Sequence, residues 1–240
     1  MFGYGPCMPS HTPMSVRDLV EQRVQQWMAE QRRRSTERPV PESPRAVVTI
    51  SRQAGTDGAE LARAVAEALG FQLWDQELVQ RVAERTGAPE VLLRAVDERA
   101  RNVIEELLGG ILMGDASTEG EYLAQLMRVF HALAHHGDAV IVGRGAQFVL
   151  APERTLRVRV VAPVEVRLRK LAASRKLSDA AAQSELEKVD RERLHFVRHH
   201  YHRDASDPSA YDLVVNVGSM SASAAVEVIV AAYRAKFPRA

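Results

Sequence analysis

The chain has a single cysteine, Cys7, in 240 residues. An internal disulfide is therefore excluded, and a reducing cytoplasm is the compartment this usage predicts. No apolar run approaches the roughly 18–20 residues of a membrane span. The first residues also lack the charged-then-apolar order of a secretion signal. Neither sign of charge is in excess: 32 Lys and Arg stand against 31 Asp and Glu, a net charge of +1. That balance argues against a general nucleic-acid coat and a polybasic membrane binder, so neither nucleic acid nor membrane is an expected partner. With 46% hydrophobic and 26% charged residues, the composition is that of an ordinary globular chain. The length suits one good-sized domain, or one domain with an appendage.

What the sequence does have is centred on residues 46–69. Ala46 to Ser51 is a short apolar, β-branched run that reads as a buried strand. A turn with Gly55 and Gly58 follows, then an amphipathic helix with Leu61, Val65, Ala68 and Leu69 on one face. Strand, glycine turn and helix form the layout of a phosphate-binding loop, in which main-chain N–H groups and the positive end of the helix face an anion.

Ahead of this unit, residues 1–14 are rich in Gly, Pro and Met. A helix is predicted over 15–34, followed by a proline-rich linker from Pro39 to Pro44. The domain boundary falls near Ser43, giving an extension over 1–44 and a domain over 45–240. The amphipathic helix around Leu19 to Trp27 could dock on its own domain or on a second copy, so a homodimer stays open.

After the opening unit, strands are predicted at Phe71–Asp75, Ala139–Val142, Leu156–Val161 and Tyr211–Val217. Helices fill the intervals, including a helical insertion over about 76–138 and a lid over about 174–206. The helix after Pro163 is expected to turn Val166, Leu168 and Leu171 inward. Such alternation points to an α/β fold with a mostly parallel, roughly five-stranded sheet and helices on both faces. Ligands of such sheets bind at the carboxyl ends of the strands, and that rule gathers the Gly55–Gly58 turn, Asp75 and Arg144 on one edge.

Each candidate also has a plainer role. The glycines could serve tight packing, Asp75 could cap the next helix, and Arg144 could pair with a structural carboxylate. Arg52 could pair across the sheet end instead of meeting phosphate. His195, His199 and His202 share a helical face. Without a cysteine or an acidic ligand pattern, a solvated or stacking face is favoured there over a metal site. Arg191, Arg193, Arg198 and Arg203 are either a charged helix face or the arginines of a mobile lid closing over phosphates.

From Val47 to about Phe237 the chain resembles the cytidylate kinase-like family, a branch of the P-loop nucleoside monophosphate kinases. The resemblance is carried by Thr49-Ile-Ser-Arg-Gln-Ala-Gly-Thr-Asp-Gly-Ala-Glu-Leu61, Phe71-Gln-Leu-Trp-Asp-Gln-Glu-Leu78 and Val140-Ile-Val-Gly-Arg-Gly-Ala146. Leu156-Arg-Val-Arg-Val-Val-Ala-Pro163, Asp190-Arg-Glu-Arg193 and Asp207-Pro-Ser-Ala-Tyr-Asp-Leu-Val-Val-Asn216 complete it. It implies a three-layer P-loop fold and ATP-dependent phosphoryl transfer, with Mg²⁺, to CMP or a related small molecule. By the same resemblance Gly55, Thr56, Asp57, Gly58, Ala59 and Glu60 would hold the donor phosphates. Asp75 and Arg144 would face the acceptor, with Arg203 beside them. Asp190, Arg191 and Arg193 would act from the lid, and Asp207 and Tyr211 would meet the adenine or ribose.

One departure bears on activity. Against the G-x-x-x-x-G-K-[ST] pattern, Gln53 replaces the first glycine, Ala59 the lysine and Glu60 the hydroxyl residue. A charge about 4 Å from a phosphate is worth about 4 kcal/mol at an effective dielectric near 20, or about three decades in rate. Arg52 is the expected substitute for the lysine. A catalytically impaired nucleotide-binding or regulatory protein is the alternative reading.

Overall fold

In a computed structural model of the chain, the described residues are 46–84 and 118–238, with isolated helical positions at 22, 26 and 29. The expected linker from Pro39 to Pro44, most of the helix expected over 15–34 and the part of the helical insertion over 85–117 lie outside them.

Five strands form one parallel sheet in the order β2-β3-β1-β4-β5. They are β1 (Val47–Arg52), β2 (Gln72–Trp74), β3 (Ala139–Val142), β4 (Thr155–Val161) and β5 (Leu213–Asn216). The helices between them are α1 (Gly58–Leu69), α2 (Gln76–Glu84), α3 (Thr118–His136), α4 (Ala146–Val149), α5 (Val164–Arg175), α6 (Asp179–Tyr201) and α7 (Ala222–Lys236). Among the described elements, the four-residue α4 and two short 3₁₀ turns had no forerunner in the sequence reading.

Central β1 is continuous and apolar because both of its faces are covered. Successive side chains take opposite sides, with Val47 in one core and Val48 in the other. The first core joins Trp74, Val82, Phe130, Leu133 and Ile141 between the sheet and α2 and α3. The second joins Ile50, Leu61, Val65, Val158, Ile229 and Tyr233 between the sheet and α1 and α7. Fully burying each such side chain contributes about 1.5–3 kcal/mol, so register is strongly fixed. Ile50 pairs with Val142 on one side and with Val158 on the other.

Two side-chain expectations are corrected. Ala68 of α1 is exposed, and the helix buries Ala62 and Ala66 beside Leu61 and Val65. In α5, Val166 and Leu168 are only partly buried, and the inward pair is Arg167 and Leu171 at helical i, i+4 spacing.

The chain leaves β1 for β2, returns through β3 and crosses to β4 on the other side. Its crevice therefore opens at the carboxyl ends of β1, β3 and β4. The polar helix α6, capped by the Ser178 hydroxyl accepting the Ala181 amide, lies across that edge.

Candidate anion-binding site at the carboxyl edge of the sheet

Residues 53–57 carry the chain from β1 into α1. Gly55 has φ +70°, and a Cβ there would stand 2.5 Å from the Arg167 carbonyl oxygen. The glycine is therefore required for the loop to rest on α5, whatever else the loop binds. Thr56 is buried, and its hydroxyl donates to the Gln53 carbonyl at 2.8 Å. Asp57 stands at the N-cap of α1 with φ +53° and pairs with Lys170 at 2.7 Å. Gly58 is buried, while Ala59 and Glu60 are exposed in the first turn of α1.

The loop is held from above by α6. Asp190 accepts the Ala54 amide on Oδ1 at 2.8 Å and the Arg167 guanidinium on Oδ2 at 2.5 Å. Arg167 is 8% exposed and also donates to the Ala162 and Ala54 carbonyls. Three residues further along, Arg193 donates to the Arg52 carbonyl at 3.1 Å. The Tyr201 hydroxyl donates to the Arg144 carbonyl at 2.8 Å. Residues 190, 193, 197 and 201 thus form one helical stripe, with Val197 buried between the polar contacts.

Arg144 occupies a turn of unusual shape. Gly143, Arg144 and Gly145 have φ of +80°, +52° and +77° in succession. The two glycines take this without strain and the arginine does not. The Tyr201 ring fills the space where a Gly145 side chain would sit. The Arg144 guanidinium stacks over Phe196 at 4.8 Å and donates to Gln80. Its Nε is buried with no hydrogen-bond partner among the described residues, a state that calls for an acceptor.

Between these elements lies a cavity of about 290 Å³, near the lower end of the range for small-ligand pockets. Among the described residues, Arg52, Arg144, Arg159 and Arg193 line it against Asp190 and Glu192, and Asp190 is already held by Arg167. Burial pulls the Arg52 guanidinium down to about 9; Arg193 adds to this, Asp75 opposes it, and Arg144 and Arg159 add further. Burial likewise lowers Arg193, with Asp190 opposing and Arg159 adding. Cations crowded in this way out of water call for an anion.

The expected site residues divide into two groups. Arg52, Arg144, Asp190 and Arg193 meet at the cavity. Arg52 donates to Gln76 at 3.0 Å and lies against Gly143, so it points toward the ends of β2 and β3. Asp75 accepts the Leu78 amide at 2.8 Å and caps α2. Arg191 is 71% exposed and its charge faces Glu187 at 3.7 Å. Arg203 and Asp207 are exposed, and Asp207 caps the 3₁₀ turn at Pro208–Ala210. Tyr211 is buried behind the cavity wall, with its hydroxyl donating to the Ala205 carbonyl at 2.8 Å and near Ser51 and Gln147.

Two participants escaped the sequence reading. Arg159, which donates to the Ser51 hydroxyl at 2.6 Å, alternates with apolar Val158 and Val160 along β4. The carboxyl-end rule applied to β4 would have found it. Arg167 had only its position four residues before Leu171 to mark it.

A parallel sheet in this order, a glycine loop after β1 and an arginine-bearing helix over the strand ends define a P-loop kinase-like α/β protein. The chain belongs to the cytidylate kinase-like family, whose profile matches residues 47–219. Among solved structures it is similar to an uncharacterized protein from Eubacterium ventriosum, with a TM-score of 0.62 and 18% identity over 80% of this chain and 99% of that one. A gluconokinase from Sinorhizobium meliloti gives a TM-score of 0.46 and 14% identity over 80% of this chain and 93% of that one. A curated relative, the uronate isomerase of Corynebacterium glutamicum, is 33% identical over 100 residues. That match takes in 41% of this chain and 19% of the relative, so the chain spans about a fifth of the relative's length. No helix among the described residues is long and apolar enough to cross a membrane.

Proposed function

We propose that the protein transfers a phosphoryl group from ATP to an acceptor that is itself phosphorylated, a nucleoside monophosphate such as CMP or a related small molecule. The observation that carries this reading is the cavity walled by Arg52, Arg144, Arg159 and Arg193. A phosphate about 4 Å from one such charge gains about 4 kcal/mol at an effective dielectric near 20. Planar guanidinium groups also suit bidentate contact with phosphate oxygens. Arg144, whose Nε has no partner among the described residues, and Arg193 are the first candidates to hold the acceptor phosphate, and Arg193 is also placed to neutralise charge developing in transfer.

The fit of a triphosphate to the loop is conditional. Gly55, Thr56 and Gly58 precede or open α1, whose positive end favours an anion. Yet the Ala54 amide is given to Asp190 and the Thr56 hydroxyl to the Gln53 carbonyl. A donor phosphate on this loop is therefore left the amides that follow Ala54 and meets the opposing charge of the Asp190 carboxylate beside them. When bound, ATP with Mg²⁺ supplies the phosphoryl group and a counter-charge. This chain's part is to position the two phosphates and shield their repulsion.

A second reading is favoured by the same contact: a regulatory protein that binds nucleotide on the arginine side and does no chemistry. Thermal shift with CMP, ATP and Mg²⁺ separately, followed by a coupled assay for ADP, separates the two. A ligand at a hundred times its dissociation constant stabilises the fold by about 2.7 kcal/mol. Binding of both nucleotides with ADP release supports the kinase, and binding without turnover selects the regulator. Binding of neither sinks both.

A further inference from the structure

The sequence grouped His195, His199 and His202 by helical face, but the fold groups a different set. Glu119 in the first turn of α3 meets His199 and His200 at the end of α6. The ligand atoms of all three lie within 4.8 Å of one another. Both Nε2 atoms converge on a single carboxylate oxygen, Glu119 Oε1, at 3.4 Å from His199 and 3.5 Å from His200.

These separations are long for N–H···O bonds, which cluster at roughly 2.7–3.2 Å. The two His–Glu119 separations come close to another geometry, while the outer limit of 4.8 Å for the set leaves the two imidazoles to turn toward each other on binding. Two N or O ligands about 2.0–2.1 Å from a tetrahedral zinc stand roughly 3.3–3.4 Å apart. We propose that Glu119, His199 and His200 form a binding site for a divalent transition-metal ion of the zinc class, separate from any Mg²⁺ carried by a nucleotide. Two imidazoles and one carboxylate form a donor set of borderline softness that suits zinc, with a fourth position left for water. Neighbouring packing orients the ligands: the His195 ring stacks on His199 at 5.6 Å and Phe196 packs on His200 at 4.4 Å. Because Phe196 also carries the Arg144 guanidinium, an ion here fastens α6 to α3 beside the arginine cavity.

The test titrates zinc alone into the nucleotide-free 240-residue chain by calorimetry and repeats it with cobalt, whose visible absorption reports tetrahedral coordination. Expected is one ion per chain, weakened at least about tenfold by Glu119→Gln, His199→Asn or His200→Asn, since even outer-shell partners of a metal ligand carry 10–100-fold. His202→Asn should bind within about threefold of wild type. Glu119 and His199 are more than half exposed, so their variants should keep the melting temperature of the metal-free chain. Zinc should raise it only in wild type and His202→Asn. No binding up to about 1 mM zinc, where the free energy available is only about 4 kcal/mol, overturns the site. So does binding indifferent to Glu119→Gln and His200→Asn.

Discussion

Asp190 accepts the Ala54 amide at 2.8 Å across 136 residues of sequence, and its second oxygen neutralises Arg167. One side chain thus satisfies a buried guanidinium and occupies the first main-chain donor of the glycine loop. Removing half of such a buried pair leaves an uncompensated charge, at a cost of about 3–5 kcal/mol.

Asp190→Ala should therefore lower stability by about 3 kcal/mol, read from the denaturant midpoint at unchanged slope. Asp190→Asn removes the negative charge from the mouth of the loop and keeps an acceptor for Ala54. It should lose less stability and bind triphosphate more tightly than wild type in calorimetry. Weaker binding in Asp190→Asn would show that this carboxylate assists the nucleotide instead of excluding it.

Arg193 and Arg191 sit two residues apart and face different surroundings. Arg193→Ala and Arg144→Ala should each weaken monophosphate binding by about 10–100-fold, the loss of a charge-assisted contact of about 1.5–3 kcal/mol. Arg191→Ala, whose side chain lies in solvent beside Glu187, should stay within about threefold, as exposed pairs are worth at most about 1 kcal/mol. Equal losses at 191 and 193 would mean that α6 rotates on binding.

Gly145→Ala places a methyl group inside the Tyr201 ring at φ +77° and should destabilise by roughly 2–4 kcal/mol. Tyr201→Phe keeps the ring and deletes only the bond to the Arg144 carbonyl, for about 1 kcal/mol. If the bond's purpose is to hold Arg144 in its left-handed turn, Tyr201→Phe will also loosen monophosphate binding. Denaturation and calorimetry on the same samples separate these effects.

Acid should weaken the fold before carboxylates are protonated. Burial, with a smaller push from His135, holds the His136 imidazole down at about 4, while in the unfolded chain it titrates near 6.5. Between those values the unfolded state binds the extra proton. Stability is full above pH 6.5 and is lost as pH falls toward 4, by at most about 3 kcal/mol. Asp212 follows only at lower pH. Burial raises it, but hydrogen bonds from Arg157 and Lys236 outweigh that and set it at about 2, against 3.8 unperturbed. Chemical denaturation at stepped pH should show the first slope, and His136→Leu should flatten it.

The strands were legible because burial on both faces leaves uninterrupted β-branched runs, as in Val47–Ile50 and Ala139–Val142. Ser178 and Ser221 each accept a main-chain amide ahead of α6 and α7, the kind of cap that depends on local chemistry alone. The carboxyl-edge rule brought the Gly55–Gly58 turn, Asp75 and Arg144 to one edge without any knowledge of α6. The partner of Asp190 was not legible, because the contact depends on the angle at which a mostly polar helix crosses the sheet. Arg159 and Arg167 were hidden for a related reason: a buried cation among polar neighbours reads as surface until the opposing element is known. The histidine cluster misled in the same way, since helical periodicity groups residues of α6 and says nothing of Glu119 on α3.

The stripe from Asp190 to Tyr201 grips Arg52, Ala54 and Arg144 at once, over about 16 Å of helix. A rod fastened at three points does not lift at one of them alone. Freeing the glycine loop and freeing the arginine turn are then a single concerted opening. Loosening any one attachment should therefore loosen the other two.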